Sequence, residues 1–144
     1  CLMQGVSKAV EGLRSGDISE AVQDLAETHG FGVVRELVWH GVGLKLHEKP
    51  EVPNFGKKGT GLLMKKGLVI AIEPMINAGK KQVKQLNDGW TIVTSDGLPS
   101  AHFEHTVAIG VGMPDVLSSF EKIEIAEANN INLGKPHQIT EVNG

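Results

Sequence analysis

Leu68-Val69-Ile70-Ala71-Ile72-Glu73-Pro74 is the stretch on which the fold turns. Its first five residues form a short, continuous apolar run, the pattern of a strand buried on both faces. Glu73 closes that strand and Pro74 follows it. Downstream, Asp88-Gly89 is a hairpin signal between Gln82–Leu86 and Trp90–Thr94, and Asp96-Gly97 marks another turn. Ala101–Ile109 is the last clear strand. Asp115–Ala128 is expected to form a short helix, with Leu117, Phe120 and Ile123 on one side. The polar tail over 129–144, which contains Pro136, is expected to be loose.

Upstream, Leu2, Met3, Val6, Val10 and Leu13 recur at helical spacing and predict a helix over 2–13. A second helix, capped by Asp17 or Ser19, carries the stripe Ile18, Ala21, Val22, Leu25 and Ala26 and stops at Gly30. Phe31–Val38 reads as a strand, and residues 39–61 read as a long loop without periodicity, a type often functional. Two helices followed by hairpin-linked strands predict an α+β domain with an antiparallel sheet.

The 144 residues suffice for one domain with a core. A net charge of -3 gives no electrostatic footprint for nucleic acid or an anionic membrane. No apolar run approaches the roughly 20 residues needed to span a bilayer, and the first residues lack a signal-peptide pattern. Cys1 is the single cysteine, so an internal disulfide and a cysteine-based zinc cluster are excluded, and a cytoplasmic setting is expected. A chain beginning with Cys rather than Met is expected to be a fragment or a processed form, with tag removal or an engineered start as the alternative.

Two phosphate-binding motifs fail on inspection. Leu46 stands where a third glycine would complete Gly41-Val42-Gly43, and Leu62 stands where Gly56-Lys57-Lys58-Gly59-Thr60-Gly61 would need lysine. His47-Glu48 is not a zincin motif, because position 51 is Glu. What remains are His40, where a strand meets a Gly-rich loop, Glu73 at its strand end, and Glu104 inside Ala101–Ile109. Singly, each is more often a solvated or hydrogen-bonded side chain than a ligand. Together, one imidazole and two carboxylates form an oxygen-rich set suited to Mn, Fe(II), Co or Zn. Three such ligands could hold one metal; two metals would need more carboxylates.

His40-Gly41-Val42-Gly43-Leu44-Lys45-Leu46-His47-Glu48-Lys49-Pro50 resembles the H-G-x-G-x-x-x-H-E-x-P segment of type I methionine aminopeptidases. Ile72-Glu73-Pro74-Met75, Asp88-Gly89-Trp90-Thr91 and Phe103-Glu104-His105-Thr106 resemble further segments of that family, in the same order. The resemblance extends over about residues 1–120. It implies the pita-bread fold, an antiparallel sheet with outer helices, here with its N-terminal part missing: residues 1–128 would be the C-terminal portion of the catalytic domain. It also implies two divalent metal ions held by two Asp, one His and two Glu, and removal of N-terminal methionine from nascent polypeptides. In that reading His40, Glu73 and Glu104 are metal ligands. Glu73 also handles the proton of the attacking water. His47 contacts the substrate peptide group, and Met75 and Trp90 lie near the methionine pocket.

The chain departs from the family pattern at several points. No residue matches the two Asp ligands. Trp39 stands where the family usually has glycine, and a large ring there is expected to crowd the metal, so that restoring glycine would raise activity. An incomplete site predicts weak metal binding, poor turnover and exposed apolar surface that favours association. The alternative is a non-enzymatic pita-bread module that binds partners; a prolidase-type peptidase fits Met75 and Asp88–Thr91 less well.

Overall fold

The computed structural model describes residues 1–132. Most of the tail expected over 129–144 lies outside them. Helix α1 spans Leu2–Val6 and α2 spans Ser15–Thr28. The first helix is shorter than the apolar spacing predicts. Val10, which would extend the stripe, instead bridges Gly110, and the Glu11 amide donates to the Gly110 carbonyl at 2.9 Å. A distant strand end therefore outcompetes local helical propagation.

Helix α2 begins two residues before the nearer of the expected caps. Asp17 is its third helical residue and accepts the Arg14 amide at 2.8 Å, one half of a capping box. Arg14 has only side-chain donors, so it cannot supply the other half. Ile18, Val22 and Ala26, four apart, are buried, whereas Leu25 is 36% exposed. Gly30, with φ +79°, ends the helix as expected. α1 packs on α2 at Gly5, where an added Cβ would lie 2.8 Å from Val22 Cγ2.

All strand pairs are antiparallel, as the hairpin signals predict. The strands are β1 (Gly32–Val33), β2 (Val38–Gly41), β3 (Glu48–Pro53), β4 (Val69–Ile72), β5 (Met75–Asn77), β6 (Val83–Gln85), β7 (Ile92–Thr94), β8 (Ser100–His102), β9 (His105–Ala108) and β10 (Asp115–Val116). A five-stranded sheet has the order β10-β9-β4-β2-β3, a three-stranded sheet the order β1-β5-β8, and β6-β7 form the Asp88-Gly89 hairpin. The Asp88 carboxylate accepts the Trp90 and Thr91 amides at 3.0 and 2.9 Å. These bonds and the Thr91 hydroxyl hold its pKa below the usual 3.8, the hydroxyl contributing most.

Four expectations are corrected. The strand over Phe31–Val38 is two short strands, β1 and β2, in different sheets. The expected loop 39–61 contains the end of β2 and all of β3, whose pairing (Trp39↔Val52, His40↔Glu51) has no local sequence signature. Ala101–Ile109 is broken at Phe103-Glu104 into β8 and β9. The helix expected from Asp115 starts only at Glu121, as α3 (Glu121–Ala128), because Asp115 and Val116 pair with Ala108 and Val107.

The break in the Ala101–Ile109 stretch has a physical cause. β4 pairs β9 through Ile72↔His105, and β5 pairs β8 through Met75↔His102. The two ladders share one register, which places Glu73 opposite Glu104 and Pro74 opposite Phe103. Pro74 has no N–H to give the ladder, so pairing lapses there and the strands pass from one sheet to the other.

The core gathers Ile18 and Val22 of α2 with Trp39, Val52, Ile70, Ile72 and Val107 of the sheet and Ile109 just after β9. Asn54, with no exposed surface, ties it together. Its Oδ1 accepts Trp39 Nε1–H at 2.6 Å and the Met75 amide at 3.2 Å, while its Nδ2 donates to the Leu37 carbonyl at 3.0 Å. Asn54→Leu would strand two buried donors and should cost about 2–4 kcal/mol, read as a lowered urea midpoint; a shift worth under about 1 kcal/mol would mean that water replaces the amide.

Candidate metal centre

β2 delivers His40. Its neighbour Gly41 lies so close to the Lys49 carbonyl that a Cβ could not fit. The pairing shifts between His40 and Gly41, a bulge of the kind that re-aims side chains. Gly43 similarly leaves room for the Glu48 carboxylate, whose Oε1 accepts the Lys45 amide at 2.7 Å. This folded-back loop brings the His47 ring to the His40 ring, centroids 4.3 Å apart and edge-on.

His40 Nδ1 lies 3.0 Å from its neighbour's carbonyl, Gly41 O. A carbonyl only accepts, so Nδ1 carries the proton, and in the neutral ring the lone pair is on Nε2. That atom faces Glu73 Oε1 at 3.4 Å, both side chains being little exposed (12% and 13%). A lone pair facing a carboxylate oxygen is favourable only with a cation shared between them, a proton or a metal. The register adds Glu104 opposite Glu73, and directly opposed like charges repel unless a cation offsets them.

The structure thus brings together His40, His47 and Glu73, with Glu104 across the ladder. Trp90 stands apart at the hairpin tip, 87% exposed, and Met75 packs in the apolar core with 8% exposed. Trp39 does not crowd the centre. Side chains alternate along a strand, so Trp39 points opposite to His40 and is fully buried on Asn54. The expected steric problem is thereby removed.

One residue was missed: His102. Its Nε2–H donates to Glu73 Oε2 at 3.0 Å. That hydrogen bond, above all, together with the charges of Glu73 and Glu104, holds its pKa above the usual 6.5, against partial burial that lowers it. The available signal was its place two residues before Glu104, on the same side of an extended segment.

The opposite face of these strands bears Pro74, Ile76, Ala101 and Phe103. With Phe31 and Phe120 they line an apolar groove of about 900 Å³. His105 faces this side, its Nδ1 2.9 Å from Ser118 Oγ and its ring on Phe120.

The sequence model of metallopeptidase family M24 matches residues 1–110. The chain belongs to this family. It is 52% identical over 115 residues to a methionine aminopeptidase of Clostridium perfringens, covering 80% of this chain and 46% of that one. Methionine aminopeptidase 1 of Bacillus subtilis is 50% identical over 117 residues, covering 81% and 47%. The crystal structure of methionine aminopeptidase from Thermotoga maritima superposes with a TM-score of 0.78 at 45% identity, over 81% of this chain and 47% of that one. Prolidase from Pyrococcus furiosus, TM-score 0.59 at 24% identity over 82% of this chain and 29% of that one, shares the fold alone. The fold is the pita-bread α+β architecture, and the M24 chain spans about half the length of the curated relatives it matches. No helix among the described residues is long and apolar enough to cross a membrane.

M24 membership implies divalent metal. The donor chemistry of His40, Glu73 and Glu104 fits part of such a site. It does not complete one: among the described residues no three His, Cys, Asp or Glu side chains form a set that could hold an ion.

Proposed function

We propose that this chain carries part of the active site of a methionyl aminopeptidase, which removes N-terminal methionine from nascent polypeptides. The observation that carries the reading is the facing of His40 Nε2 and Glu73 Oε1 at 3.4 Å; the registers on either side of the break put Glu104 opposite Glu73. His40, Glu73 and Glu104 would be metal ligands, contributing to sites for two divalent ions (Co, Mn, Fe(II) or Zn). Such ions supply Lewis acidity, lowering the pKa of a bound water and polarising the first peptide carbonyl.

The chain's own residues account for the rest. Glu73 accepts the proton of the attacking water and returns it to the leaving amine. His47, on its Gly-rich loop beside His40, donates to the carbonyl oxygen as negative charge develops there. Met75 and Trp90 are assigned to the methionine side chain; Trp90 would need a further wall around it, because it stands 87% exposed, and Met75, 8% exposed in the core, would reach the pocket only with its edge. Nascent chains as substrate place the work in the cytoplasm. With the two Asp ligands unmatched, the chain as given would bind metal weakly and turn over poorly.

Two measurements test this. A chimera carrying this chain in place of the matching segment of the Clostridium perfringens relative should hydrolyse Met-Ala peptides; a folded but inert chimera would sink the assignment. The 144-residue chain alone, dialysed against Mn(II) or Co(II) and analysed for metal, should retain fewer than two ions per chain, and two tightly held ions would show that the site is complete without further residues.

A further inference from the structure

His102 has a partner that the ligand assignment leaves unexplained. Its pairing with Met75 brings it beside the end of β4, and its Nε2–H donates to Glu73 Oε2 at 3.0 Å. The other oxygen of the same carboxylate faces His40 at 3.4 Å. Each Glu73 oxygen therefore has its own imidazole, and the two imidazoles differ in kind. His40 is held by Gly41 O in the tautomer that leaves Nε2 bare. His102 presents a proton from Nε2, which makes that nitrogen a donor and not a ligand.

The carboxylate is little exposed, at 13%, while His102 is 51% exposed. A carboxylate so placed needs a donor to fix its rotamer and to satisfy the oxygen that no cation engages. Among the described residues His102 supplies the side-chain hydrogen bond to it.

We propose that His102 is a positioning residue for Glu73: it holds Oε2, turns Oε1 toward His40, and so sets the affinity of the His40–Glu73 pair for a divalent cation. This rests on the reading of Glu73 as a metal ligand. Outer partners that orient a ligand change metal affinity by about 10–100-fold when removed.

The test is Co(II) titration of the 144-residue chain, followed by visible absorption, with parallel long-range ¹H–¹⁵N spectra of the histidine rings without metal. His102→Ala should weaken Co(II) binding by about tenfold or more. His102→Gln, whose side-chain amide can still donate to Oε2, should restore most of it with an unchanged Co(II) spectrum. The metal-free spectra should show His102 protonated at Nε2, with a signal that shifts in Glu73→Gln. An unaltered affinity in His102→Ala overturns the proposal. So does His102→Gln that binds as poorly as alanine, which would make His102 a ligand, and so does a His102 ring protonated only at Nδ1. Failure of the underlying reading looks different: wild type that binds no Co(II), or Glu73→Gln that binds it like wild type. In that case the ring spectra still decide whether His102 holds Glu73.

Discussion

Trp39→Ala is expected to destabilise the chain by about 3–5 kcal/mol, the range for emptying a buried large aromatic position. Trp39 has no exposed surface, and its indole N–H donates to Asn54 Oδ1 at 2.6 Å. Alanine would leave a cavity in the apolar core and remove one of the two bonds that fix the Asn54 oxygen. Domains of this size are stable by only about 5–15 kcal/mol, so the loss would consume much of the margin. Urea denaturation should show a lower midpoint with an unchanged slope. Trp39→Phe keeps most of the volume and loses the hydrogen bond, so it should cost less, about 1–3 kcal/mol for the oxygen deprived of that donor. Glycine at this position should lower activity through unfolding, contrary to the expectation from sequence that it would relieve crowding. An alanine variant that unfolds at the wild-type midpoint would show that Trp39 is not packed as described.

Glu73→Ala, placed in the chimera with the Clostridium perfringens relative, should abolish Met-Ala hydrolysis to at least about 10²–10⁴-fold below the parent, the usual contribution of a positioned acid–base group. Loss of a metal ligand would deepen that defect. Glu73→Gln separates charge from size: it keeps the side-chain volume beside His40 and His102 but cannot take a proton. The fold should survive either change, because Glu73 lies between β4 and β5 and outside the apolar cluster. Circular dichroism and melting temperature should stay near the parent values while turnover disappears. Retained turnover in a properly folded Glu73→Ala chimera would remove Glu73 from the chemistry.

Local signals read the elements that depend on local chemistry. Gly30 stops α2, Asp88-Gly89 turns the β6–β7 hairpin, and the apolar run before Glu73 is β4. They failed where a distant partner sets the structure. Val10 leaves its helical pattern to meet Gly110. β3 exists because Trp39 and His40 pair with Val52 and Glu51. Ala101–Ile109 looks continuous because the cause of its break, Pro74, sits on the neighbouring strand.

The site divides along the same line. His40, His47, Glu73 and Glu104 stand out in the sequence by residue type and by the three motifs that carry them, and the match of family M24 over residues 1–110 agrees with that reading of the family. The sequence by itself thus determined the α+β antiparallel order and the family, and it singled out His40, Glu73 and Glu104 as candidate donors. Tertiary structure alone decided which way each donor faces and what it touches. It put Trp39 in the core and His40 at the carboxylate, and it brought His102 to Glu73 across 29 residues of chain. The physical reason is register: cross-strand neighbours depend on which residues pair across a sheet, and that pairing is set by the burial of the whole core, not by the residues on either side in sequence.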